Sequence, residues 1–125
     1  MYCWHSVPGY SAFGSYTGNG SSTDGPFVYT GMKVGWVMVK QIGAATNWVL
    51  YDTTREPTNP NDQHLFANLT NAENTSASFN FDFLSNGFKV RGNTANINAN
   101  NGNYLYCCFA ENPFGGNNVS PANAR

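Results

Sequence analysis

The sequence predicts an all-β protein, an antiparallel β-sandwich or jelly roll of about eight or nine short strands with no major helix. Three observations predict it. Patches of aromatic and β-branched residues recur at short intervals, punctuated by Gly, Asn, Pro, Asp and Ser. In Phe79–Phe83 the phenylalanines Phe79, Phe81 and Phe83 point one way and Asn80 and Asp82 the other, the period of a half-buried strand. The stretch Gly14–Gly31 wraps two aromatic patches around a long polar glycine loop, a composition in which no helix survives.

Taken in order, Tyr2–His5 reads as a short first strand and Ser6–Ala12 as a turn around Pro8-Gly9. Phe13–Thr17 and Phe27–Thr30 are strands on either side of the glycine loop. Val34–Gln41 is a nearly continuous apolar run, expected to be buried on both faces. With Asn47–Asp52 it forms a central hairpin across the turn Gly43-Ala-Ala-Thr. Pro57 and Pro60 block regular pairing in Thr53–Gln63, which reads as a long exposed loop. His64–Leu69 is a short strand or a single helical turn, and Asn71–Ser78 is loop-like, with a turn of helix at Ala72-Glu73-Asn74 as the alternative. Phe79–Arg91 is a hairpin turning at Asn86-Gly87, the favoured type I′ pair. Asn93–Asn103 is almost featureless except for Ile97, and Tyr104–Ala110 is a final buried strand. Residues 1–114 are thus one sandwich domain and 115–125 a Gly/Asn/Pro-rich tail. Tyr2-Cys3-Trp4 echoes Tyr106-Cys107-Cys108, either because the chain starts on a strand equivalent to its last one or by chance.

Only 10% of the 125 residues are charged, against ~25% in an ordinary domain. Asn, Ser, Thr and Gly carry the polarity instead. Net charge is −1 and Lys33, Lys40, Lys89 and Arg91 sit singly, so nucleic acid is not an expected partner. No apolar run approaches the ~18 residues of a membrane span. Met1–Trp4 lacks the charged and apolar regions of a signal peptide. Three cysteines, Cys3, Cys107 and Cys108, argue against a disulfide framework. Free buried thiols are expected, with a Cys3 bridge to Cys107 or Cys108 as the alternative. The Asn-X-Ser/Thr matches at Asn19, Asn68, Asn74 and Asn118 read as accidents of an Asn-rich chain.

The carboxylates form no i, i+2 pair of the kind a glycosidase strand would carry; Asp82 stands alone between phenylalanines. The only histidines are His5 and His64, and no Gly-x-Ser-x-Gly elbow is present. The expectation is therefore a protein that is not an enzyme, with no catalytic residue and no cofactor, Ca²⁺ on Asp/Asn oxygens being the weakly supported exception. Sugar binding needs less machinery. Trp36, Trp48, Tyr51 and Tyr104 offer flat faces, although Trp36 and Trp48 lie in apolar strands and read first as core. Function concentrates on loops held by a rigid sheet. Arg55, Asn59, Asn61, Asp62 and His64, in and beside Thr53–Gln63, are therefore the candidate ligand or interface residues.

Several segments carry a family resemblance. They are Ser15-Tyr-Thr-Gly-Asn-Gly with Asp24-Gly-Pro-Phe-Val-Tyr-Thr-Gly, then Gly35-Trp-Val-Met-Val-Lys and Asn47-Trp-Val-Leu-Tyr-Asp. Asp82-Phe-Leu-Ser-Asn-Gly-Phe-Lys-Val-Arg and Tyr104-Leu-Tyr-Cys-Cys-Phe-Ala-Glu-Asn-Pro-Phe follow in the same order. Together they resemble a module recurrent in virion proteins of tailed bacteriophages, common in marine phages. The resemblance implies a concanavalin- or SPRY-like sandwich of tail-fibre type, located on the virion and attaching to the host surface. A capsid or tail decoration protein is the alternative it leaves, and a carbohydrate-binding, lectin-like domain a further one. It implies other virion proteins as partners, homo-oligomers (trimers in a fibre) and a host-surface glycan. It carries no catalytic motif.

Overall fold

In the computed structural model, which describes Met1 and residues 3–114, nine strands form two sheets paired antiparallel throughout. The larger sheet runs β1 (Ser11–Thr17), β9 (Asn103–Ala110), β3 (Val34–Gln41), β4 (Val49–Asp52), β5 (Gln63–Phe66) and β6 (Asn74–Thr75). The smaller sheet runs β2 (Phe27–Tyr29), β8 (Gly87–Val90) and β7 (Phe81–Leu84). The only α-helix among the described residues is one turn, α1 (Ala95–Asn98). The expected all-β sandwich is therefore the observed one. Tyr2 and the expected tail, 115–125, lie outside the described residues.

The core forms where alternate residues of the two sheets meet. From the larger sheet come Tyr16, Val37, Val39, Val49, Tyr51, Tyr104 and Cys108; from the smaller come Val28, Phe81, Phe83, Phe88 and Val90. Tyr51 stacks on Phe81 with ring centroids 4.6 Å apart, and Phe88 meets Tyr106 edge-on at 5.3 Å. Buried phenols need partners, and each finds a carbonyl. Tyr16 donates to Ile97 (2.7 Å), Tyr51 to Phe79 (2.9 Å) and Tyr104 to Ala95 (2.7 Å). Burial holds the Tyr16 and Tyr51 hydroxyls protonated well above the usual phenol range.

Several expectations are corrected. Cys3–His5 form no strand: Trp4 instead stacks on Phe13 at 5.8 Å, and Val7 makes an isolated bridge with Ser11. β3 is apolar on both faces but buried on one: Val34, Val37 and Val39 are enclosed, whereas Trp36 and Met38 are half-buried on the outer face. The β7–β8 hairpin pairs Leu84 with Gly87, so its two-residue turn is Ser85-Asn86, and neither Asn86 nor Gly87 has the positive φ of a type I′ turn. Gly87 serves another need, because a Cβ there would lie 2.1 Å from the Val28 carbonyl oxygen of β2. Finally, the stretch Asn93–Asn103 contains α1, which buries Ile97 and Asn98. His64 falls in β5, resolving its segment as strand, and Phe79 ends a 3-10 turn, Ala77–Phe79, rather than starting a strand.

Candidate functional site

The outer face of the larger sheet carries a groove of about 710 Å³. Strand alternation builds its floor. The residues that do not face the core are Phe13 and Ser15 on β1, Leu105, Cys107 and Phe109 on β9, and Trp36 and Met38 on β3. The pairing register aligns Phe13, Cys107, Met38 and Leu50 in one row across four strands. Trp48, which precedes β4, and Trp4 complete the lining. These are large apolar groups left open: Trp4 is 69% exposed, Leu105 48% and Trp48 39%. No charged residue lines the groove. Lys40 stands at one end of the face, its ammonium donating to the carbonyls of Gln41 and Ala44 (both 2.9 Å) and to Thr46 Oγ1 (3.2 Å). Asp52 stands at the other end, opposite Trp36 and held by Arg55.

The opposite side of the molecule differs. The outward residues of the smaller sheet mix charged and apolar groups: Asp82, Lys89 and Arg91 stand beside Leu84 and the exposed rings of Phe27 and Tyr29. Asn80, Asp82 and Arg91 floor a polar pocket of about 290 Å³, walled by Ser22–Thr23 and Asn59–Pro60. Arg91 Nη1 lies 3.3 Å from Asp82 Oδ2, and Lys89 Nζ 2.5 Å from Asp24 Oδ1. The hydrogen bond from Lys89 holds the Asp24 carboxyl below its usual range.

The five residues singled out from sequence do not converge on one exposed surface. Asn59 clamps the backbone of Phe83, its amide donating to the carbonyl (2.8 Å) and accepting from the N–H (3.0 Å). Asn61 is buried, donating to the carbonyls of Asp52 and Glu56 (both 3.0 Å) while its backbone pairs with Phe81. His64 is buried too, stacked on Phe79 at 3.8 Å with Nδ1 3.1 Å from the Asp62 carbonyl oxygen. Arg55 pairs with Asp52 and Glu73, and Asp62 stays half-exposed. The loop 53–63 is thus docked by its own polar side chains rather than freely exposed. Among the proposed flat faces, Tyr51 and Tyr104 are fully buried, whereas Trp36 and Trp48, expected in the core, line the groove. The signal was present in β3 and β9. Runs in which both alternating sets are apolar imply an apolar outer face as well as a core.

All three cysteines are free: Cys3 is exposed, Cys107 half-buried at the groove, and Cys108 buried. Burial pushes the Cys108 thiol up to about 12 and raises that of Cys107. Among the described residues no three His, Cys, Asp or Glu side chains are grouped to hold a metal ion. No helix among them is long and apolar enough to cross a membrane.

A family model described as a domain of unknown function, DUF7483, matches residues 1–113. No curated protein and no solved structure matches the chain.

Proposed function

The chain belongs to the DUF7483 family, and we propose that it is a non-enzymatic structural and attachment module of a bacteriophage virion, of tail-fibre or receptor-binding type. The observation that supports this reading is the contrast between its two outer faces. One side is an open, uncharged aromatic groove; the other carries Asp24, Asp82, Lys89 and Arg91 around a polar pocket. Monomeric soluble proteins rarely leave large contiguous apolar patches in water. A module built into a particle has a use for both faces, one to seat it among other virion proteins and one to present to the host. The resemblance of the ordered motifs from Ser15 to Phe114 to tailed-phage virion modules supplies the context.

A second reading, binding of a carbohydrate, is favoured by the polar pocket. Its carboxylate, amide, guanidinium and hydroxyl groups are the donors and acceptors that vicinal sugar hydroxyls pair with. In the attachment reading this is where a host-surface glycan sits.

Competition with intact virions for adsorption to host cells tests the proposal. Purified chain is expected to block adsorption saturably, and Asp82→Ala is expected to lose the block while keeping the fold. Many copies per particle without affinity for cells or envelope glycans would replace attachment by decoration. Absence of the chain from purified particles by quantitative mass spectrometry would remove the virion reading.

A further inference from the structure

We propose that the groove face of the larger sheet is covered by a second copy of this chain, sheet against sheet, in a two-fold dimer. The proposal rests on the reading of that face as an assembly surface, and it names the occupant.

A two-fold interface brings the same patch of both copies together, so the patch must complement itself. The groove does. Apart from the hydroxyl-bearing Ser15 and Tyr106 its lining is apolar and aromatic, with no carboxylate or ammonium to meet its own kind. The charges lie at the ends of the face and have opposite sign. Lys40 closes one end of β3, and Asp52, opposite Trp36, lies at the other. Arg55, Lys33, Glu73 and Glu111 pair around that second end and leave it negative overall. A two-fold axis lying between the sheets and across the strands reverses one copy end for end. It thereby sets Lys40 over Asp52 of the partner subunit.

The area approaches what a dimer needs. β1, β9 and β3 are seven or eight residues long and β4 four. At ~4.8 Å between strands and ~3.3 Å per residue their footprint is about 430 Å² per copy. The rings of Trp4 and Trp48, outside the strands, extend the face and bring two copies toward the roughly 1,000 Å² expected of a specific interface. Packed sheets lie ~10 Å apart with interdigitated side chains, a spacing that half-open Trp36, Met38 and Leu105 can fill.

Sedimentation velocity of the full chain across the micromolar range tests this. A dimer is expected. Leu105→Glu puts a carboxylate on the face, and the monomer should tolerate it because Lys40 is opposite Leu105 in register; loss of the dimer with an unchanged far-UV spectrum is expected. Tyr29→Lys, on the other sheet, is expected to leave the dimer intact.

Thiol labelling reads the same face in the unmodified chain. Cys107 should be protected as concentration rises in the native chain and should label equally throughout in Leu105→Glu. A chain that stays monomeric, forms a trimer, or dimerises with Cys107 still reactive overturns the proposal. A monomer that nevertheless competes with virions for adsorption sinks the dimer and spares the virion reading. A dimer from a chain absent from the particle does the reverse.

Discussion

Asn98 ties the glycine loop to the rest of the molecule. It is fully buried on α1, where its Oδ1 accepts from the Asn19 N–H (2.8 Å) and its amide donates to the carbonyls of Ser21 (2.9 Å) and Gly92 (3.0 Å). Asn98→Ala strands an N–H and two carbonyls in or near the interior. With ~1–3 kcal/mol for each buried group left unpaired, and some of them rescued by water, the variant should lose about 2–4 kcal/mol. Urea unfolding checks this; a loss within 0.5 kcal/mol of zero, the range of an ordinary surface change, would show that the tie is not needed. The loop it holds was legible as turn chemistry, and Gly18 explains part of it, since a Cβ there would meet the Ala99 carbonyl oxygen at 2.4 Å. The anchor was not legible. Asn93, Asn96, Asn98, Asn100, Asn101 and Asn103 have the same composition signature, and only packing decides which one is enclosed. His64 and Asn61 were missed for the mirror-image reason. Polar residues in a Pro/Asn loop look exposed until the loop is seen to fold back onto β7.

The element that follows β4 is organised by a single carboxylate. Asp52 Oδ1 accepts from the N–H groups of Thr54 (3.0 Å) and Arg55 (2.8 Å), and its other oxygen pairs with the Arg55 guanidinium. Partial burial pushes the Asp52 carboxyl up, but the hydrogen bonds and charge of Arg55 outweigh it and leave the group below its usual range. A carboxyl depressed by folding stabilises the native state above its unfolded value, about 3.9. That contribution disappears as pH falls through the folded value. Acid unfolding should therefore set in below about pH 4. Asp52→Asn should flatten that part of the curve and cost about 1 kcal/mol at neutral pH, measured by thermal melts across pH. An unchanged acid limb would assign the acid sensitivity to other carboxyls. The strands themselves were easier to read than their connections. The β7–β8 hairpin was evident from alternation, yet its turn lies one residue earlier than Asn86-Gly87 suggested. What fixes Gly87 is the backbone of β2 across the sheet, which sequence neighbours do not reveal.

At the scale of the whole molecule, β9 lies inside the larger sheet, second from its β1 edge. β9 pairs with β1 along one edge and with β3 along the other, and it carries Tyr104 and Cys108 into the core. Sequence patterning identified β9 as an apolar strand, but it is buried on one face only, with Leu105 open on the other; its neighbours were not legible, because antiparallel pairing between distant segments of a chain leaves no local trace. The consequence is that this domain cannot fold from its N-terminus in stages. Without β9, β1 has no strand partner and β3 keeps only β4. A chain ending at Gly102 is expected to show no cooperative unfolding transition by circular dichroism and no dispersed amide spectrum. A synthetic 103–114 peptide should restore both by adding the missing strand through main-chain hydrogen bonds, which separates loss of a strand from general damage by truncation. A truncated chain that still unfolds cooperatively on its own would mean that β3, β4 and the smaller sheet form a stable core without β9. The same topology predicts slow folding of the full chain, in the range of milliseconds to seconds, since β1–β9 pairing must close nearly the whole sequence before it is rewarded.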